Sequence, residues 1–144
     1  MGKNYLLDTN AILDFMGDKL PTKSKLILSQ IIDEQINISV INKIELLGFD
    51  SVEQEIVDFV SFSNVFPFDE SIVDLTIEIR RLYKPKLPDA IIAATSMYND
   101  LILLTTDKDF RKIIGLKVES PYELNETTIN EELDDENHFS DLVG

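Results

Sequence analysis

Tyr5-Leu6-Leu7-Asp8-Thr9-Asn10 is the stretch that decides the fold. A short apolar run stops at a carboxylate and two residues that favour caps and turns, and Ala11-Ile12-Leu13-Asp14-Phe15 then resumes at helical spacing. This reads as strand, acid, helix. In an open parallel α/β sheet the ligand crevice lies beyond the carboxyl ends of the strands, so a central first strand would put Asp8 in it.

Working outward, the same grammar recurs. Thr22–Glu34 carries Leu26, Ile27, Ile31 and Ile32 on one helical stripe, entered through Pro21. Residues 36–40 alternate and are β-branched, as a short strand would be, and 41–48 turn helical and close on Gly48. Residues 51–62 form a further amphipathic helix. Residues 64–68 read as a strand ended by Pro67, hence an edge strand. Asp69 caps a helix to Tyr83 whose last turn holds Arg80 and Arg81, as the helix dipole favours. Residues 84–88 are a loop, 89–99 an apolar helix buried against the sheet, and 101–105 a strand of the buried parallel kind. Residues 106–110 turn into a short helix, and Lys117-Val118 forms a last strand. Strands separated by helices predict an α/β fold, a mainly parallel central sheet covered by helices on both faces, in one domain over residues 1–124. Residues 125–144 are an acidic tail, flexible or ordered on a partner.

Composition removes whole classes of chemistry. With no Cys and a single His, His138 in the tail, the chain has no disulfide framework, thiolate site, Ser-His-Asp triad or two-histidine nuclease centre. No apolar run is long enough to span a bilayer and there is no signal peptide, so a cytoplasmic protein is expected. Acids remain, 27 Asp plus Glu against 13 Lys plus Arg. The net charge of -14 has the wrong sign for simple binding of nucleic acid, but seven of the acids follow Asn125, where there is no Lys or Arg.

Four acids stand out. Asp8 and Asp107 each end an apolar strand. Asp89 opens the most apolar helix. Glu45 shares a helical face with Ile41, Ile44 and Gly48 and so points partly inward, unless the helix is rotated to bring it to solvent. Each has a bland explanation as a cap or turn residue, and Asp109 looks more like a cap for Phe110 than a ligand. Jointly the bland explanations are strained. Four carboxylates share a pocket at neutral pH only if some are protonated or a multivalent cation neutralises them, and oxygen-only ligands point to Mg²⁺ or Mn²⁺. Such an ion supports phosphodiester hydrolysis without histidine. There is no glycine-rich phosphate loop, and Asp8-Thr9-Asn10 lacks the second acid of an aspartyl-phosphate phosphatase.

In order along the chain, Leu6-Leu7-Asp8-Thr9-Asn10, Ser39-Val40 through Glu45-Leu46-Leu47-Gly48, Pro88-Asp89-Ala90-Ile91-Ile92-Ala93-Ala94-Thr95 and Thr105-Thr106-Asp107-Lys108-Asp109-Phe110 resemble the PIN-domain nucleases, in particular the VapC-like toxins of toxin-antitoxin pairs. The blocks span residues 5–110. The resemblance implies a three-layer α/β/α sandwich and metal-dependent cleavage of RNA. By position it implies Asp8, Glu45 and Asp89 as core acids and Asp107 as the fourth, with Asp109 its competitor. Thr9, Asn10 and Thr106 would orient carboxylates or waters. It also implies a homodimer and a cognate antitoxin that inserts a segment near the active site.

The acidic tail and the negative charge depart from that family picture, so RNA contact would have to come from local patches. Arg80, Arg81, Lys84 and Lys86 lie beside Asp89, and Lys108, Arg111 and Lys112 beside Asp107. Helix-dipole pairing explains the first cluster equally well. The alternatives are a catalytically inactive module of the same fold acting through protein contacts, and a phospho-acceptor domain, which the absence of an acidic neighbour to Asp8 disfavours.

Overall fold

The computed structural model describes residues 3–125. In chain order it runs β1 (Tyr5–Leu7), α1 (Thr9–Met16), α2 (Thr22–Glu34), β2 (Asn37–Ser39), α3 (Val40–Leu47), α4 (Gln54–Ser61), β3 (Asn64–Phe66), α5 (Glu70–Tyr83), α6 (Leu87–Tyr98), β4 (Ile102–Leu104), a 3-10 helix (Lys108–Lys112) and β5 (Val118–Glu119). The expected acidic tail lies, but for Asn125, outside the described residues.

Every strand pairing is parallel. One sheet has the order β1-β4-β5 and the other pairs β2 with β3. The two meet where β2 lies along β1, and the buried Asn37 spans the join: its Nδ2 donates to the Tyr5 carbonyl at 3.0 Å while its Oδ1 accepts from Asn64 at 3.3 Å. Strand β1 is therefore central. The chain leaves it in one direction through β2 and β3 and returns to its other side through β4 and β5, so β1 and β4 flank the switch point where ligands bind in such sheets.

Alternation along β1 explains the layers. Tyr5 and Leu7 point into a core with Ala11, Ile12, Ile27, Leu28, Ile38 and Leu46, whereas Leu6 points into a second core with Ile72, Ile79 and residues 90–94 of α6. Leu104 and Leu103 of β4 divide the same way. The result is the expected three-layer α/β/α sandwich. A one-residue slip of β1 would exchange its two faces, and each buried leucine holds the register by about 1.5–3 kcal/mol.

Several boundaries differ from expectation for local reasons. Helix α6 starts at Leu87 instead of 89, because Pro88 suits the first turn, where no amide hydrogen is needed. Val40 belongs to α3, since Ser39 and Asn42 form a capping box that ends β2 early. Strand β3 stops at Phe66 and among the described residues has β2 as its one partner, the edge position that Pro67 predicts. Gly48 has φ −82°, so its role is close approach and not a left-handed turn: a Cβ there would lie 2.6 Å from the Ile44 carbonyl oxygen.

Candidate active site

Asp8 is the residue after β1 and the N-cap of α1, with extended backbone (φ −77°, ψ 156°). Its register partner beyond β4 is Thr105, and the Asp8 amide continues the ladder by donating to the Leu104 carbonyl at 3.0 Å. Only 6% exposed, the carboxylate accepts four hydrogen bonds. Oδ1 takes the Thr9 amide at 2.9 Å and Asn42 Nδ2 at 3.2 Å. Oδ2 takes Thr105 Oγ1 at 2.7 Å and Asn10 Nδ2 at 3.2 Å. Four bonds engage about all the lone-pair sites a carboxylate has. Burial nevertheless pushes the Asp8 carboxyl above its ordinary range. The bonds from Thr105, Thr9 and Asn42 oppose that shift, and the charge of Asp107 adds to it.

The donors are themselves fixed. Asn42 Oδ1 accepts from the Ser39 hydroxyl at 2.7 Å and the Ser39 amide at 3.0 Å, while its Nδ2 reaches Asp8 and Thr9 Oγ1. Thr9 Oγ1 donates to Glu45 Oε1 at 3.0 Å. Asn10 Oδ1 accepts the Thr106 amide at 3.0 Å, and Thr105 Oγ1 accepts the Asp107 amide at 3.1 Å. One network thus ties the ends of β1, β2 and β4 together. Among the described residues no buried side-chain polar atom lacks a partner.

Asp89 enters from the other core layer, in the first turn of α6, half-buried. Among the described residues none donates a hydrogen bond to its carboxylate. Burial pushes its carboxyl up, and the charges of Asp107, Asp8 and Glu45 push it further, against the pull of Lys86. Those three charges place Asp8, Glu45, Asp89 and Asp107 in one field. Asp89 and Asp107 also line a cleft of about 270 Å³ with Lys84, Lys86, Phe110 and Lys112. Among the described residues no three Asp, Glu or His side chains stand as a ready metal-ligand group, so the four acids interact as charges and not as an assembled cage.

The structure decides three open readings. Glu45 lies on the exposed face of α3 and Ile44 is 61% exposed, so the helix is rotated from the face the spacing implied, and the hydrogen bond from Thr9 turns Glu45 toward the crevice. Asp109 is not the cap of its turn. Asp107 fills that role, accepting the Asp109 amide at 2.9 Å, while exposed Asp109 pairs with Lys112 at 3.4 Å and lines the same cleft as Asp89 and Asp107. Asp8 itself caps α1, as the bland explanation of that acid had it. Thr106 contributes its backbone amide to the network.

The bases are exposed: Lys84, Lys86 and Lys112 line the cleft, Arg80 and Arg81 line a separate groove with Lys84, and Lys108 and Arg111 line another with Asp107. Arg80 is spent on the loop after α5, its Nη1 donating to the Pro85 carbonyl. Arg81, Lys84, Lys86, Lys108 and Arg111 form no salt bridge among the described residues. Sequence reasoning assigned no role to Thr105, Asn42 or Ser39. The signal for Thr105 is its place directly after an apolar strand, and for Asn42 its place three residues after a Ser that precedes a helix.

The PIN domain family matches residues 5–116. A toxin-antitoxin complex from Klebsiella pneumoniae contains a chain 32% identical, with a TM-score of 0.65, over 84% of this chain and 100% of that one. FitAcB from Neisseria gonorrhoeae is 24% identical with a TM-score of 0.68, over 83% of this chain and 99% of that one. VapBC-1 from nontypeable Haemophilus influenzae is 24% identical with a TM-score of 0.68, over 81% and 97%. No curated protein sequence matches.

Proposed function

Because this chain belongs to the PIN domain family, we propose that it is a divalent-cation-dependent endoribonuclease and the toxin of a toxin-antitoxin pair. The observation that carries this reading is Asp89, a half-buried carboxylate with no hydrogen-bond donor among the described residues and three other carboxylate charges acting on it. A hard multivalent cation relieves that repulsion, and oxygen-only donors suit Mg²⁺ or Mn²⁺.

Asp89 would hold the ion together with the oxygens of Asp107 and Glu45 that Asp109 and Thr9 leave free. Asp8, its lone pairs engaged, would join by releasing a donor or through a water. Such an ion supplies, when bound, a Lewis acid for a phosphoryl oxygen and a lowered pKa for a water. The chain's own groups do the rest. Thr105, Asn10 and Asn42 fix Asp8, Thr9 fixes Glu45, and Lys84, Lys86, Lys108 and Arg111 take the phosphates of RNA on both banks of the cleft.

Replacing Asp89 by Asn in purified protein should lower Mn²⁺-dependent cleavage of RNA by about 100-fold or more with the far-ultraviolet circular dichroism unchanged. Cleavage at the parental rate rejects the site. The relatives' toxin-antitoxin complexes support a cognate antitoxin as partner. A second copy as homodimer partner rests on the family resemblance, and light scattering of the purified chain tests it.

One observation favours a second reading, an inactive module of the same fold: Asp8 is already saturated by protein donors. Calorimetric titration with Mn²⁺ separates the two, since the module would give no saturable heat.

A further inference from the structure

One groove of the described surface differs from its neighbours in the sign of its walls. Thr76, Ile77, Arg80 and Arg81 on α5, with Lys84 after it and Leu87 opening α6, line an open groove of about 430 Å³ that holds three bases and no carboxylate. Four other depressions, the cleft beside Asp89 included, are each lined by at least as many carboxylates as bases. Glu78, three residues before Arg81, stays outside the lining. The three bases form no salt bridge among the described residues, and the Pro85 carbonyl anchors the Arg80 guanidinium. The rest of the lining is largely apolar. Ile77 is 44% and Leu87 53% exposed, whereas Ile72, Ile79 and Ile91 of the same two helices are buried in the second core.

The groove also joins the acid cleft. Lys84 ends α5 at φ 56° and ψ 41°, the left-handed conformation that Gly or Asn ordinarily supplies at a helix end. Among the described residues the other non-glycines in that region are Asp18 and Asp100, whose short polar side chains tolerate it. A lysine has no such local reason to be there, and Lys84 is the one residue that lines both the groove and the cleft. Leu87 and Asp89, two residues apart in the first turn of α6, line the groove and the cleft respectively, on opposite sides of that helix.

We propose that this groove is an outer RNA subsite: a single strand leaving the cleft crosses Lys84, lays its next phosphates against Arg80 and Arg81, and rests a nucleobase on Ile77 and Leu87. Charge complementarity selects a polyanion. The exposed apolar lining selects a single strand, whose base faces are open, over a duplex, whose bases are stacked away. The proposal rests on the ribonuclease reading for which polyanion arrives through the cleft, and on the groove's own lining for the contact.

Full-length protein in EDTA would be titrated with a twelve-nucleotide oligouridylate between 50 and 200 mM salt. Arg80→Gln combined with Arg81→Gln should bind about 10-fold more weakly than the parent at 50 mM and flatten the plot of log affinity against log salt by about 1.4, or about 0.7 for each lost phosphate contact. Lys25→Gln combined with Lys117→Gln removes the same charge elsewhere and should change affinity by less than about 2-fold. The same oligomer carrying 4-thiouridine, irradiated and mapped by mass spectrometry, should link to residues 76–81 or to Leu87. A loss below about 2-fold in the arginine variant, an equal loss in the lysine variant, or links confined to Tyr83 and Phe110 of the cleft each overturn the proposal. So does an Ile77→Glu variant that turns a dimer into a monomer in light scattering and binds oligouridylate as the parent does, because the groove then belongs to a second copy of the chain. Neither binding nor cross-linking involves cleavage. Success of both in a protein that cleaves no RNA with Mn²⁺ would sink the ribonuclease reading and leave the groove, and Mn²⁺-dependent cleavage with no effect of the arginine variant on binding would sink the groove alone.

Discussion

The end of β1 and the start of α6 each bring one acid to the same crevice, and the two are held by opposite means. Asp8 is buried and saturated by four donors from three chain segments, so its position is set by hydrogen bonds. Asp89 is half-buried with no donor among the described residues, and what it experiences is the charge of three other carboxylates. Burial is the first cause of both raised pKa values, but bonds oppose it at Asp8 whereas charges reinforce it at Asp89. One acid holds the site together, and the other is strained by it.

The widest separation between them is expected on truncation. Asp8→Ala leaves the Asn42, Asn10 and Thr105 donors facing a buried gap and should lower unfolding free energy by about 3–5 kcal/mol in urea. Asp89→Ala should leave stability at neutral pH unchanged or raise it, since it removes repulsion. Equal losses for the two would break the comparison.

Thr105→Val comes next. It removes the donor to Asp8 Oδ2 and the acceptor of the Asp107 amide, at a cost of about 1–3 kcal/mol, and cleavage should fall with it. Thr105→Ser should recover most of both, which a purely steric role for the methyl group would not give.

A smaller effect is the dependence on pH. Both carboxyls have folded values raised above the ordinary 3.8, so the folded state binds more protons than the unfolded one between the two values. Stability from these groups is full below about 3.8 and is lost as pH rises through the raised values. Urea denaturation across pH should show that falling contribution, with Asp89→Asn flattening it and saturating Mn²⁺ offsetting it at neutral pH. A slope unaffected by Asp89→Asn would show that the burden lies on Asp8 alone.

The smallest expected change is Asp109→Asn. It breaks an exposed pair with Lys112, worth little to stability, so the melting temperature should stay at the parental value, and with Asp107 as the fourth acid cleavage should as well. A loss comparable to that of Asp107→Asn would put the fourth acid at the wrong position.

Much of this was legible in the chain. Asp8 and Asp107 announce themselves because an apolar run of strand length ends on each, and Asp69 because a cap precedes an amphipathic helix, as its bond to the Ile72 amide bears out. The face of Glu45 stays open in the sequence because a helix of eight residues carries too few apolar positions to fix its rotation within a third of a turn. Thr105 and Asn42 were passed over because a polar residue beside a strand or cap has many local uses, and its actual partner is 97 or 34 residues away.

By itself the sequence determined the order of strands and helices, a composition with no cysteine and a single histidine, and the small set of acids from which a site can be built. Those follow from local periodicity and from composition, which need no knowledge of neighbours. The tertiary structure alone decided that β1 is central and in register with β4, so that Thr105 faces Asp8. It also decided that Asp107 caps the 3-10 turn while Asp109 pairs with Lys112, and that one acid is bonded while another is exposed to charge. Parallel pairing between strands 97 residues apart is fixed by which faces can be buried together, and no local stretch of chain carries that information.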